Sequence, residues 1–183
     1  MRIVFILTGQ MERKAFTQSL STLFPQAEFE IEPQPGTPAE LLPQSFTSNP
    51  VPFAASSRAE QKLDELVQTL AAAVEPGRKG RGRPALVVLL EDLELANLSQ
   101  PEAVQAELRQ AIARHIERVR ADRRGLLDPQ VVALALHERA SFHLMCPMTE
   151  AYFFGDPQAL AHATPRAALA KLAPGVDLEQ FQV

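Results

Sequence analysis

Three acidic residues follow an apolar segment of strand length in the middle of the chain. The segment ALVVLL covers residues 85 to 90, and Glu91, Asp92 and Glu94 come directly after it. A continuous Val/Leu run of this length is typical of a strand that is buried on both faces of a parallel sheet. Ligands of such sheets bind beyond the carboxyl ends of the strands. These acids are therefore candidates for a functional site.

The spacing of the acids indicates which of them could act together. If the strand continues through residue 94, its two-residue period places Asp92 and Glu94 on one face and Glu91 on the other. Two carboxylates in one small volume raise each other's pKa, so they require a cation, a basic group or a shared proton. Magnesium prefers oxygen ligands of this kind. The same acids also fit a solvated loop or the cap of the next helix, and this alternative stays open.

The composition limits the classes of protein that fit. The chain has 183 residues, of which 46% are hydrophobic and 22% charged, with a net charge of -4. These values are typical of a soluble globular domain and argue against a generally basic nucleic-acid-binding protein, although basic clusters at 78 to 83 and 109 to 124 could contact phosphates. The single cysteine, Cys146, excludes an internal disulfide and a zinc site built on cysteines. Since no apolar run reaches the length of a membrane span, we expect a cytoplasmic protein with no membrane partner.

Apolar periodicity and turn residues predict alternating strands and helices. The expected strands are residues 3 to 7, 85 to 90, 131 to 137 and 142 to 146, and the expected helices begin near residues 11, 58, 101 and 149. Capping boxes that begin at Ser57 and Ser99 predict the starts of the second and third helices. The expected buried stripe of the second helix consists of Leu63, Leu66, Val67, Leu70 and Val74. A proline-rich segment, about 25 to 58, interrupts this order as an irregular excursion over the surface. The order predicts a single α/β domain over residues 1 to 183, with a mainly parallel sheet flanked by helices and a helical C-terminal segment from about 149.

Other polar residues follow the predicted strands. Glu12 comes one turn after the first strand, and His137 and Glu138 follow the predicted strand at 131 to 137. If these strands are parallel neighbours, the groups meet at the same edge of the sheet as the acids after residue 90. Glu12 would also be stabilised by the positive end of the first helix dipole, and this could be its only role. No histidine pair has zinc-ligand spacing, and no Walker loop or dinucleotide-binding fingerprint is present.

Three short blocks of the sequence together resemble a known family. They are TGQMER after the first strand, VVLLEDLE in the middle, and MTEAYFFGDPQAL near the end. This combination resembles the RloB-related family of Toprim-like bacterial proteins, a family of unknown function. That family has an EGxTE motif after its first strand, a central DxD, and an EAW-like segment leading to DP-x-AL. The three blocks span residues 3 to about 163, and the third fits best.

The resemblance implies a fold, a chemistry and a set of site residues. Toprim domains are small parallel α/β domains whose acids bind magnesium and support phosphoryl transfer at nucleic-acid backbones. By this resemblance Asp92 and Glu94 match the DxD pair, and Glu12 matches the second acid of the first block. These three residues are then the expected metal ligands. Glu150 matches the acid of the third block and completes the expected catalytic set.

Thr8 departs from the family pattern, because it occupies the place of the first-strand glutamate. A threonine hydroxyl does not titrate near neutral pH and cannot transfer a proton in its place. Two functions therefore remain open. The first is nuclease-like, magnesium-dependent phosphodiester chemistry in which Glu12 or Glu150 takes the missing role. The second is a non-catalytic partner or regulatory subunit of a multi-protein system, such as a system of defence against foreign DNA. A receiver-type phosphoacceptor domain fits less well, since it requires acids directly after the first strand.

Overall fold

The computed structural model describes residues 1–34, 36–38, 41–75, 82–122 and 127–146. Its strands are β1 (Arg2–Leu7), β2 (Glu28–Ile31), β3 (Leu86–Asp92) and β4 (Ala140–Met145), and its helices are α1 (Gln10–Leu23), α2 (Arg58–Val74), α3 (Pro101–Ala121) and α4 (Pro129–Arg139). This architecture confirms the predicted small α/β fold. Glu150 and the helices expected after residue 149 lie outside the described residues.

The four strands form one parallel sheet in the order β2-β1-β3-β4. After β1 the chain forms β2 on one side of β1, and it then crosses back to form β3 on the other side of β1. The direction in which strands are added therefore reverses between β1 and β3. In open parallel sheets such a reversal leaves a crevice at the carboxyl ends of the two strands, and ligands bind there.

Helices cover the two faces of the sheet unequally. Phe5, Leu7 and Val88 pack toward Phe16 and Leu20 of α1. The alternate positions of the same strands pack toward α2, α3 and α4 in the larger core cluster. They include Val4, Ile6, Val87 and Leu89. Because successive side chains of a strand point to opposite faces, each residue of β1 and β3 can be assigned to the α1 side or the α2 side.

The predicted start and buried stripe of α2 are confirmed. The Ser57 side chain accepts a hydrogen bond from the Glu60 backbone N–H and so caps the helix. The buried stripe includes all five predicted positions, Leu63, Leu66, Val67, Leu70 and Val74. The predicted cap of α3 at Ser99 is wrong, because the residue before that helix is Gln100 and it makes no capping hydrogen bond. The Gln100 amide instead donates to the Val51 carbonyl.

The predicted strand at 131 to 137 is a helix. These residues lie within α4, whose first turn is capped by the Asp128 side chain and has proline next to the cap. A short apolar run does not distinguish a buried strand from a buried helix, and here the Asp-Pro start signal favours the helix. His137 and Glu138 consequently end a helix just before β4 begins. They lie at the amino edge of the sheet, opposite the edge where the sequence pattern placed them.

The proline-rich excursion contains one sheet strand and one buried loop. β2 pairs with β1 at the edge of the sheet. After it, the segment that we call the Ser45–Phe53 loop returns to the carboxyl end of β3, with the side chains of Phe46 and Val51 buried in the core. The rest of the described excursion has no α-helix or strand. Among the helices of the described residues, none combines the length and apolar character needed to cross a membrane.

Candidate functional site

The ends of β1 and β3 define the crevice and its two sides. The ladder between these strands ends with the pair Leu7 and Leu90, so the next row places Thr8 beside Glu91. Both residues fall on the α2 side of the sheet, because they continue the positions that face the larger core cluster. Thr8, the residue in the place of the family's glutamate, is thus a neighbour of the first acid of the EDLE segment.

Glu91 is a buried anchor for the Ser45–Phe53 loop. Its side chain has no exposed surface. Its Oε1 accepts hydrogen bonds from the Ser45 hydroxyl at 2.7 Å, the Phe46 N–H at 3.0 Å and the Thr47 N–H at 3.1 Å. The Thr47 hydroxyl lies 3.0 Å from the same oxygen and 2.5 Å from the Asp92 carbonyl oxygen, and it can donate to one of them at a time. Oε1 is therefore fully used in holding the loop.

The environment of Glu91 favours its neutral form. Burial raises the pKa of the carboxyl. The hydroxyl groups of Thr8, Ser45 and Thr47 act on this pKa in the opposite direction. The Thr8 hydroxyl makes its own hydrogen bond to the Leu90 carbonyl oxygen at 3.5 Å, and Oε2 of Glu91 has no hydrogen-bond partner in the described part of the chain. A proton on Oε2 would lower the cost of burying this group.

Asn97 provides a second, independent anchor for the same loop. It is fully buried, and its Nδ2 donates to the carbonyl oxygens of Thr47 at 2.5 Å and Asn49 at 2.8 Å. Its Oδ1 accepts from the Val51 N–H at 2.9 Å. The loop backbone is therefore bound to the segment that follows β3, and the loop side chains of Ser45 and Thr47 are bound to the end of β3 itself. The loop closes the α2 side of the crevice.

The α1 side of the crevice contains Glu12 and Asp92. Glu12 lies in the first turn of α1 and is 7% exposed. Its carboxylate lies against Gly9, where an added Cβ would overlap the carboxylate oxygens. The Asp92 side chain belongs to the same side of the sheet, the one that α1 covers, because Asp92 alternates with Glu91 along β3. The fold thus brings Glu12 and Asp92 to the same side of the crevice.

Glu94 lies two residues beyond the end of β3 and precedes a short 3-10 turn, Leu95–Asn97. Leu93 continues the alternation of the strand, because its side chain is buried in the larger core cluster and its N–H donates to the Met145 carbonyl. That Glu94 shares the face of Asp92 stays a prediction. In the described ranges, no group of three or more His, Cys, Asp or Glu side chains could hold a metal ion, so Glu12, Asp92 and Glu94 do not form a three-carboxylate cluster. Whether they bind magnesium stays a prediction, and Glu150 lies outside those ranges.

Arg13 adds a positive charge to the same edge of the sheet. Its Nη1 donates to the Leu7 carbonyl at 3.2 Å and its Nη2 to the Pro33 carbonyl at 3.1 Å, so it spans the ends of β1 and β2. Burial lowers the pKa of Arg13, but a guanidinium remains charged at neutral pH. The edge therefore combines a carboxylate and a guanidinium on consecutive residues of one helix turn.

Sequence reasoning did not find the roles of Gly9, Arg13 and Asn97. The contact of Gly9 with Glu12 depends on how α1 begins, which the sequence does not reveal. Arg13 and Asn97 carry no sequence signal, because their partners are backbone groups 6 to 50 residues away along the chain. Hydroxyl residues at 45 and 47 are a weak signal for the Glu91 anchor, since buried carboxylates need such donors.

Comparisons with known proteins found no similar protein: no family model matches the chain, and neither the curated proteins nor the solved structures gave a match.

Proposed function

We propose that the crevice between β1 and β3 binds a divalent cation, magnesium, through Glu12 and Asp92, and that the protein carries out Toprim-like phosphodiester chemistry on nucleic acid. One observation carries the proposal. The strand order reverses between β1 and β3, and both carboxylates belong to the α1 side of the crevice formed there. This arrangement supports the proposal, because the first and second sequence blocks of the family resemblance contribute acids to the same side of the crevice.

The chemistry of the two carboxylates fits such a cation. Magnesium is commonly bound by one or two protein carboxylates and keeps its remaining positions for water and substrate phosphates. A cation between Glu12 and Asp92 would offset their mutual repulsion. When bound, it would supply Lewis-acid polarisation of a phosphate oxygen. Glu94 and Glu150 remain the further acids that the family resemblance assigns to this chemistry.

A metal titration tests the proposal directly. Isothermal titration calorimetry of the full chain with Mn²⁺ should detect a site, and Asp92→Asn and Glu12→Gln should each weaken its affinity by about tenfold or more, since each removes a charged ligand. Glu28→Gln is the matched control, because Glu28 is an exposed carboxylate of the same sheet. If the wild-type chain binds no Mn²⁺, or if both site variants bind like the control, the proposal fails.

A cleavage assay then tests the chemistry itself. Fluorescent single-stranded DNA and RNA oligonucleotides should be cut by the wild-type chain with Mg²⁺ or Mn²⁺ and remain intact with EDTA. The Asp92→Asn variant should lose this cleavage while its circular dichroism spectrum and melting temperature stay close to those of the wild type. Cleavage retained in a folded Asp92→Asn variant would contradict the assignment of the site.

A second function, a non-catalytic partner or regulatory subunit, is favoured by the pairing of Thr8 with Glu91. The position of the family's first-strand glutamate holds a group that cannot titrate, and its neighbour in the next strand binds a loop. Metal binding and cleavage discriminate between the two functions. A subunit of this kind should show no divalent-cation site of useful affinity and no cleavage of either oligonucleotide.

A further inference from the structure

Arg13 is a half-buried cation whose partners are neutral. Both of its terminal nitrogens donate to backbone carbonyl oxygens, those of Leu7 and Pro33. Within the described residues, no carboxylate forms an ion pair with it. Other arginines of the chain do have such partners: Arg2 pairs with Glu30, and Arg118 pairs with Asp64 at 2.9 Å. Arg13 is thus partly removed from water without a compensating negative charge.

The two carbonyl contacts fix the guanidinium but do not neutralise it. A carbonyl oxygen carries only a partial charge, so the cost of desolvating the cation is incompletely offset. A guanidinium has five N–H groups in a rigid planar fork, and the hydrogen bonds to Leu7 and Pro33 leave the others able to donate. The result is a preoriented donor group at the carboxyl ends of β1 and β2 that lacks an anion.

We infer that Arg13 binds a phosphate group of the substrate beside the cation site. This inference rests on the proposed function and deepens it by naming the residue that recognises the phosphate. A planar guanidinium fork matches two phosphate oxygens, which makes arginine suited to this contact. Glu12 and Arg13 are consecutive in the first turn of α1. The Leu7 carbonyl that holds Arg13 lies at the end of β1, the strand beside β3 and Asp92, so a phosphodiester at this edge of the sheet would place one oxygen toward the cation and others toward the arginine.

The salt dependence of nucleic-acid binding tests the inference. The probe is a fluorescent single-stranded oligonucleotide, and its affinity for the full chain is measured over a range of salt concentrations, with Mn²⁺ and separately with EDTA. Arg13→Gln should lower the affinity by about tenfold at low salt. It should also reduce the slope of log K against log salt by about 0.7, the value for one phosphate contact on a single strand. Arg139→Gln is the control, since Arg139 ends α4 at the amino edge of the sheet, opposite the crevice, and lies outside both basic clusters.

A purely structural role of Arg13 makes a different prediction. If Arg13 only ties β1 to β2, Arg13→Gln lowers the melting temperature and leaves the salt slope of the folded protein unchanged, which would overturn the inference. Arg13→Lys keeps the charge and should keep the slope while losing part of the affinity, so it serves if Arg13→Gln does not fold. A folded Arg13→Lys variant whose salt slope falls as much as is expected for Arg13→Gln would also overturn the inference.

The outcomes separate this inference from the proposed function. Wild-type Mn²⁺ binding together with an oligonucleotide affinity that is the same in wild type and Arg13→Gln overturns the role of Arg13 alone. Absence of Mn²⁺ binding in the wild type overturns the cation site, and the measurements in EDTA then decide the role of Arg13 independently. If the wild-type chain does not bind the oligonucleotide under either condition, the inference is wrong.

Discussion

The two sides of the crevice between β1 and β3 use acidic residues in opposite ways. On the α2 side, Glu91 is completely buried and its Oε1 is occupied by donors of the Ser45–Phe53 loop. On the α1 side, Glu12 lies against a glycine and shares its face of the sheet with Asp92, while Arg13 lies next to it in sequence. The α2 side is closed by a loop, and the α1 side presents charged groups.

The difference shows that neighbouring acids of one motif can serve unrelated purposes. Glu91 and Asp92 are adjacent in sequence, yet strand alternation directs them to opposite faces of the sheet. The carboxylate that meets a loop rich in hydroxyl and backbone N–H groups becomes a structural anchor. The carboxylate on the other face, that of Asp92, belongs to the proposed cation site. Variants on the α2 side should therefore change mainly the stability of the fold, and variants on the α1 side should change mainly the affinity for the cation.

Removing the Glu91 carboxylate should have the largest effect on stability. Glu91→Ala leaves the buried N–H groups of Phe46 and Thr47 without an acceptor and creates a cavity, so the free energy of unfolding should fall by about 3 kcal/mol or more. Urea denaturation measures this value. Glu28→Ala, at an exposed strand position, is the control and should change it by less than about 0.5 kcal/mol. Equal effects of the two variants would contradict the anchor role.

Removing the second anchor should have a smaller effect. Asn97→Ala leaves the Val51 N–H and the Thr47 and Asn49 carbonyls without their partner, and the free energy of unfolding should fall by about 2 kcal/mol. Hydrogen exchange of the Val51 amide should become faster than in the wild type. Mn²⁺ affinity should stay unchanged, because the loop and the proposed ligands lie on different sides of the sheet. A large loss of Mn²⁺ affinity would show that the two sides are coupled.

The pH dependence of stability should report the buried carboxyl. Because burial raises the pKa of Glu91, the folded protein holds this proton more tightly than the unfolded chain. The contribution of this group is fully present below the ordinary glutamate pKa and is lost as the pH rises through the raised pKa of the folded state. The free energy of unfolding should fall across this window with a slope of at most about 1.4 kcal/mol per pH unit. Glu91→Gln should flatten the curve, and a curve of unchanged shape would contradict the prediction.

Gly9→Ala should affect the α1 side with little change in stability. A methyl group at Gly9 would displace the Glu12 carboxylate, a flexible group, while the backbone φ of -79° suits alanine. Mn²⁺ affinity should fall several-fold, and the free energy of unfolding should change by less than about 1 kcal/mol. Gly82→Ala is the control, since an added Cβ there meets no atom of the described residues within 4 Å. Unchanged Mn²⁺ affinity in Gly9→Ala would remove Glu12 from the proposed ligand set.

The smallest effect is expected at the opposite edge of the sheet. His137 ends α4, just before β4 begins. His137→Ala should leave Mn²⁺ affinity unchanged. It should alter the free energy of unfolding by about 0.5 kcal/mol at most, because the side chain interacts only weakly with the dipole at the C-terminus of the helix. Calorimetry and urea denaturation measure both values. Weaker Mn²⁺ binding in this variant would place the cation site elsewhere in the molecule.

The predicted elements show where local patterns suffice. The strands at β1 and β3 and the helices α1, α2 and α3 were predicted close to their observed bounds, because each has a clear period and a clear stop signal. The segment 131 to 137 was assigned incorrectly, since a run of Val, Ala and Leu satisfies a buried strand and a buried helix equally well. Only the Asp128 and Pro129 start signal separates the two, and it favours the helix.

The sequence alone determined the class of the fold and placed acids at the carboxyl end of a central parallel strand, because buried parallel strands have a recognisable composition. Tertiary structure decided which acid serves which purpose. Glu91 is an anchor because a loop more than 40 residues away along the chain supplies its donors. Glu12 and Asp92 share one side of the sheet because α1 packs on the face to which Asp92 alternates. Such contacts between distant segments leave no periodic trace in the sequence, so only the folded chain reveals them.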